Sequence, residues 1–192
     1  KEGFITDVLS AILRLGTDVV EECIFRLSGR SGPEDAKAAL WFEYYRNKGR
    51  RCSVIARTLS EIAVPRFVSR CEAAGCLTSI GDMLAASFFQ EEYVKLAEKK
   101  PRPAVNYHLS QHMRFDVDSM TQRYLYRSGL PDGLLCLLDR DGEPESTDHA
   151  RARTACYAAV EMVEAFDADR WDRIAPDKIL RPKSCLRSLY LN

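Results

Sequence analysis

Apolar residues return at helical spacing along almost the whole chain, and that period leaves little room for anything but helices. Phe4, Val8, Ile12, Leu15, Val19, Cys23 and Leu27 form one such stripe near the N-terminus. Ala152, Ala155, Cys156, Ala159, Val163 and Phe166 form another, whose small members suit close helix contact. Between them the pattern is cut by helix punctuation. Pro33-Glu34-Asp35 is a helix start, with proline in the first turn and acids at the positive end of the dipole. The helix that follows is expected to run to about Lys48 and to end at Gly49. Ser53 to Ser60 reads as a short helix, 61–64 as a turn, and Pro65 to Ala74 as a further helix with Gly75 as its C-cap. A longer helix is expected from Thr78 or Ser79 through Leu96, and another over Val117 to Arg127. Leu134 to Leu138, LLCLL, fits a buried helix turn or a short strand equally well. Thr147 or Asp148 caps the last long helix.

These signals predict an all-α fold, a single-domain helical bundle of about seven or eight helices over residues 1–192, with room for one short β-hairpin near 134–142. The best candidate linker is 99–103, KKPRP, where the bundle would sub-divide. At 192 residues the chain can bury a real core, and 46% hydrophobic with 29% charged residues argues against disorder. No apolar run reaches the roughly 18–20 residues of a membrane span, and no signal-peptide pattern is visible. The chain opens on Lys1 rather than Met, so the missing targeting segment carries little weight. Seven cysteines at irregular spacing suit buried free thiols of a reducing compartment, cytoplasmic or nuclear, better than a disulfide framework.

Charge is the other uneven feature. The chain is formally neutral, yet 46–70 packs Arg46, Lys48, Arg50, Arg51, Arg57, Arg66 and Arg70 against the single acid Glu61. Such a patch is what a phosphate-binding or acidic-partner surface needs, and also what a solvated helix face looks like. The order helix, turn, helix, then Gly75-Cys76-Leu77, resembles a winged helix–turn–helix. That resemblance implies that Arg66, Ser69 and Arg70 face bases or phosphates, with Arg50, Arg51 and Arg57 on the backbone. The pattern departs from it at Ile80 to Leu96, which reads as helix where a wing is extended. Acids gather instead in the second half, at Asp139–Asp148 and Glu161–Asp172. A neutral chain with opposite poles can self-associate or dock charged partners.

Catalytic signals are sparse. His108 and His112 stand four apart on one expected helix face, a spacing that can hold zinc, with Asp116 and Asp118 nearby. No glutamate follows His108, so the metalloprotease form is absent, and surface histidines are the favoured reading. Cys52, Cys71 and Cys76 lack paired zinc spacing. No P-loop, nucleophile elbow or dinucleotide fingerprint occurs, so no catalytic residue and no cofactor is expected. The sequence therefore reads as a non-enzymatic helical protein–protein interaction or scaffold domain, self-associating or bound to a protein partner. The alternative is a nucleic-acid-binding protein using the basic segment 46–70.

Overall fold

The computed structural model describes residues 33–127, 130–139 and 142–167. Seven α-helices follow one another there: α1 (Ala36–Ala63), α2 (Val68–Leu77), α3 (Ile80–Ala97), α4 (Arg102–Met113), α5 (Val117–Arg127), α6 (Asp132–Leu138) and α7 (Thr147–Asp167). A single 3-10 turn, Pro65–Phe67, lies between α1 and α2. No strand occurs among the described residues, and the fold is all-α. The stripe at 4–27 and the tail after 167 lie outside the described residues. LLCLL is helical, which removes the strand option there. Leu134 and Leu137, three apart, are both buried, and α6 packs on α2 and α7.

Contacts divide the chain into two compact units interleaved in sequence. Among the described residues, the first unit holds those up to Arg46 and Ile80–Thr121. The second holds Asn47–Ser79 and those from Gln122 onward. The segment 99–103 falls inside the first unit, where Pro101 precedes α4.

The first unit is built on aromatic packing. Its core joins Tyr45, Ala85, Ala86, Tyr93, Val105, Leu109, Phe115 and Val117. Trp41 lies across Tyr45 with ring centroids 6.0 Å apart, and the buried Tyr93 hydroxyl donates to that of Tyr45 at 2.6 Å. Burial, with Tyr45 alongside, pushes the Tyr93 phenol far above its ordinary value, so it stays neutral. α3 bends at Gln90, whose φ of 36° is rare for a side-chain-bearing residue, while its Oε1 accepts from the Asp35 amide at 3.2 Å. α4 ends on Arg114 in the left-handed region, and the next amide, that of Phe115, returns to the Leu109 carbonyl.

The second unit is built on small residues. Ala56, Val64, Cys71, Ala74, Leu134, Leu137, Ala152, Cys156 and Ala159 make one core, with α2 packed on both α6 and α7. The largest departure from the sequence reading lies here. Gly49 does not end a helix, and 53–60 is not a separate one: α1 runs unbroken from Ala36 to Ala63. Nor does Gly75 cap α2, which continues to Leu77. Both glycines permit a backbone-to-backbone crossing instead. A Cβ on Gly49 would stand 2.5 Å from the Cys76 carbonyl oxygen, and one on Gly75 would stand 2.8 Å from the Cys52 carbonyl oxygen and the Ser53 Cα. Space, not turn geometry, selects glycine at both positions.

The crossing makes a counter-intuitive prediction for mid-helix glycines. By helix propensity, alanine at Gly49 or Gly75 should stabilise by about 1 kcal/mol. Because neither carbonyl can yield cheaply, Gly49→Ala and Gly75→Ala are instead each expected to destabilise by about 1–3 kcal/mol. Urea denaturation measures this, and a rise in midpoint for either variant would contradict the crossing.

Candidate functional site

The cations of 46–70 were the strongest chemical signal, and the structure gives most of them partners. Arg46 pairs with Glu43 one turn back on α1. Lys48 is only 5% exposed, and its ammonium donates to Glu164 Oε1 at 2.8 Å. Arg51 grips both carboxylate oxygens of Asp167. Arg57 reaches Glu61 at 3.1 Å and Glu72 at 3.6 Å. Arg70 stands over the Phe67 ring, 5.2 Å from its centroid. Arg50 and Arg66 are exposed. A helix, a turn and a helix do follow one another, but the two helices expected before the turn are one, α1, and Gly75-Cys76-Leu77 is the last turn of α2 rather than the lead into a wing. Two of the acids that neutralise the segment, Glu164 and Asp167, lie on α7, 116 positions along the chain.

The candidate metal ligands do not converge. His108 and His112 are neighbours on α4, ring centroids 4.3 Å apart. Desolvation, then His112 and Lys100, pushes the His108 imidazole below its ordinary value. Asp116 is used as a cap, its Oδ1 accepting from the Ser119 amide at 2.7 Å. Asp118 accepts from Arg102 at 3.3 Å. No three histidine, cysteine or acidic side chains stand close enough together to hold a metal ion among the described residues.

Two polar features escaped the sequence reading. In the first unit, Arg102 Nε donates to both oxygens of the buried Asp82 at 3.0 Å and its Nη2 reaches Asp118, clasping the start of α3 to α4 and α5. The acid–base signal was present in the sequence, but twenty residues separate Asp82 from Arg102. In the second unit, Cys71 and Cys156 address each other's helices: Cys71 Sγ lies 3.6 Å from the Ala152 carbonyl, and Cys156 Sγ lies 3.8 Å from that of Cys71. The hydrogen bond to Cys71, with burial, pushes the Cys156 thiol well up, and burial does the same for Cys52. Both stay protonated, and a protonated thiol is neither a nucleophile nor a metal ligand.

Burial distinguishes the two ion pairs between α1 and α7. Glu164→Ala would strand a buried ammonium and is expected to cost about 1–2 kcal/mol, discounted because Glu164 itself is partly exposed. Arg51→Ala removes a solvated partner and should cost less than about 1 kcal/mol. Chemical denaturation of the two variants side by side checks the order, and equal losses would contradict it.

In overall fold the chain is similar to two crystal structures of the MmoQ response regulator from Methylococcus capsulatus strain Bath. One, a fragment of residues 20–298, aligns with a TM-score of 0.70 at 19% identity, covering 98% of this chain and 71% of that one. The other aligns with a TM-score of 0.74 at 17% identity, covering 100% and 79%. No curated protein matches the chain in sequence. The family described as HDOD domain matches residues 2–139. That match overturns the reading of the chain as a plain interaction scaffold, and with it the alternative of a nucleic-acid binder built on the basic segment 46–70. Local pattern misled in part because two of the cations counted along one stretch, Lys48 and Arg51, meet acids far away in sequence. With residues 2–139 inside the match, the chain belongs to the HDOD domain family.

Proposed function

We propose that this chain is a non-catalytic signalling domain, acting inside the cell within a regulatory protein and passing its state to a protein partner. The observation that carries the reading is membership of the HDOD family over residues 2–139. The fold likeness to a protein described as a response regulator supports it by analogy. The chemistry of the described residues points the same way. Metal-assisted phosphoryl hydrolysis needs a cluster of ligands that can generate a bound hydroxide. Here His108, Asp116 and Asp118 serve helix surface, cap and ion pair instead. The cysteines of the described residues are free thiols, as a reducing interior favours. No described helix is long and apolar enough to cross a membrane.

Catalysis is tested directly. The purified full chain, supplied in turn with magnesium, manganese, iron(II) and zinc, is assayed against a phosphomonoester, nucleoside triphosphates and cyclic dinucleotides. No turnover above the protein-free blank is expected. Turnover abolished by a chelator would overturn the non-catalytic half of the proposal. Transcript profiling of a strain lacking the coding region tests the other half. A profile shift restored by the wild-type chain is expected, whereas no shift under nutrient, oxygen or stress changes would count against signalling.

A further inference from the structure

A groove of about 640 Å³ opens between α1 and α7 in the second unit. Ile55, Met162 and the buried Val163 form its floor, and Val54 and Phe166 its walls. Val54 is 64% exposed and Phe166 61%. The two helices are tied to each other beside the groove by the ion pairs already described. Lys48 to Glu164 and Arg51 to Asp167 brace α1 against α7.

Its charge is equally particular. Of the cations near this groove, Lys48 and Arg51 have carboxylate partners, whereas Arg50 is exposed and has no carboxylate partner among the described residues. An apolar cleft of this size, with one guanidinium at its edge that no described carboxylate pairs, matches the usual make-up of a small-ligand site: mostly apolar walls and very few polar groups fixing orientation. We propose that the groove binds an amphiphile with a medium-length acyl chain and a carboxylate head, the chain lying between Val54 and Phe166 and the head on Arg50.

The dimensions favour a small amphiphile over a partner helix. The lining residues span 50–55 on α1 and 162–166 on α7, about 8 Å and about 6 Å of helix axis at 1.5 Å per residue. A docked helix presenting anchors at i, i+4 and i+7 needs about 10 Å or more of continuous groove. A flexible chain of methylenes has no such requirement. The inference goes beyond the signalling reading and does not depend on it, because the groove either binds the ligand or does not, whatever the output of the domain.

Isothermal titration calorimetry of the full chain with octanoate, decanoate and dodecanoate, below their micellar concentrations, provides the test. Affinity is expected to rise about fourfold per added methylene, the increment for burying one such group, until the groove is full. Arg50→Ala should weaken dodecanoate about tenfold and leave dodecanol unchanged. Phe166→Ala should weaken both. Both substitutions are at exposed positions, so circular dichroism should report an unaltered fold. Absence of dodecanoate binding would overturn the proposal, as would binding indifferent to both substitutions or matched by dodecyltrimethylammonium. Loss of self-association in Phe166→Ala without any dodecanoate binding would overturn it too, by assigning the groove to a second copy of the chain.

Discussion

Two helices that touch through their backbones set the geometry of the second unit. Where α1 crosses α2, Gly49 faces the carbonyl of Cys76, and Gly75 faces the carbonyl of Cys52. Contact at that distance leaves no volume for side chains between the helices. The surrounding core is accordingly rich in small residues, with Ala56, Cys71, Ala74, Ala152, Cys156 and Ala159 beside Val64, Leu134 and Leu137. Each mid-helix glycine forgoes about 1 kcal/mol of helix propensity. Dense van der Waals contact along the crossing offsets that loss, since many weak attractions are gained together. The same closeness explains the thiols: cysteine fills slightly more space than alanine and can direct its weak donor at a neighbouring helix carbonyl, as Cys71 and Cys156 do.

The helical class was legible because the 3.6-residue period is a local property, repeated from Ala36 to Phe166. The small-residue face of α7 was read correctly for the same reason, and Ala152, Ala155, Cys156 and Ala159 are all buried. Gly49 and Gly75 were misread because glycine gives one signal for two purposes. It ends helices by tolerating left-handed backbone, and it sits inside them where another backbone comes close. Only the spatial neighbour separates the two, and Cys76 and Cys52 cannot be chosen as neighbours from the sequence. LLCLL stayed open between helix and strand for a different reason. Five apolar residues are too few to show a period, and burial of Leu134 and Leu137 on one side decided for helix.

The candidate site was the least legible part, and electrostatics is the reason. A basic stretch and an acidic stretch were both visible, and their separation in sequence suggested poles available to other molecules. In the fold, Lys48 and Arg51 meet Glu164 and Asp167 on the facing helix. Charges that cancel at contact distance leave little field beyond a Debye length of about 8–10 Å. What remains is local: Arg50, with no carboxylate partner among the described residues, beside exposed apolar walls, a pattern that no count of charges along the chain reveals.

Family membership and physical unit do not end at the same residue. The family match stops at residue 139, while α7 runs over Thr147–Asp167. Yet Ala152, Cys156 and Ala159 of α7 share one core with Val64, Cys71 and Leu134 from inside the match. Arg153 ties the same helix back to the carbonyls of Asp139 and Gly142, and the Tyr157 hydroxyl donates to that of Leu138 at 2.7 Å. Those three carbonyls lie at or just past the end of α6, where the last C=O groups of a helix have no intrahelical donor. Ending the unit at 139 would expose the apolar faces of α2 and α6 together with these acceptors. The physical boundary therefore lies at or beyond Asp167, and the helix outside the match completes the core of the unit inside it.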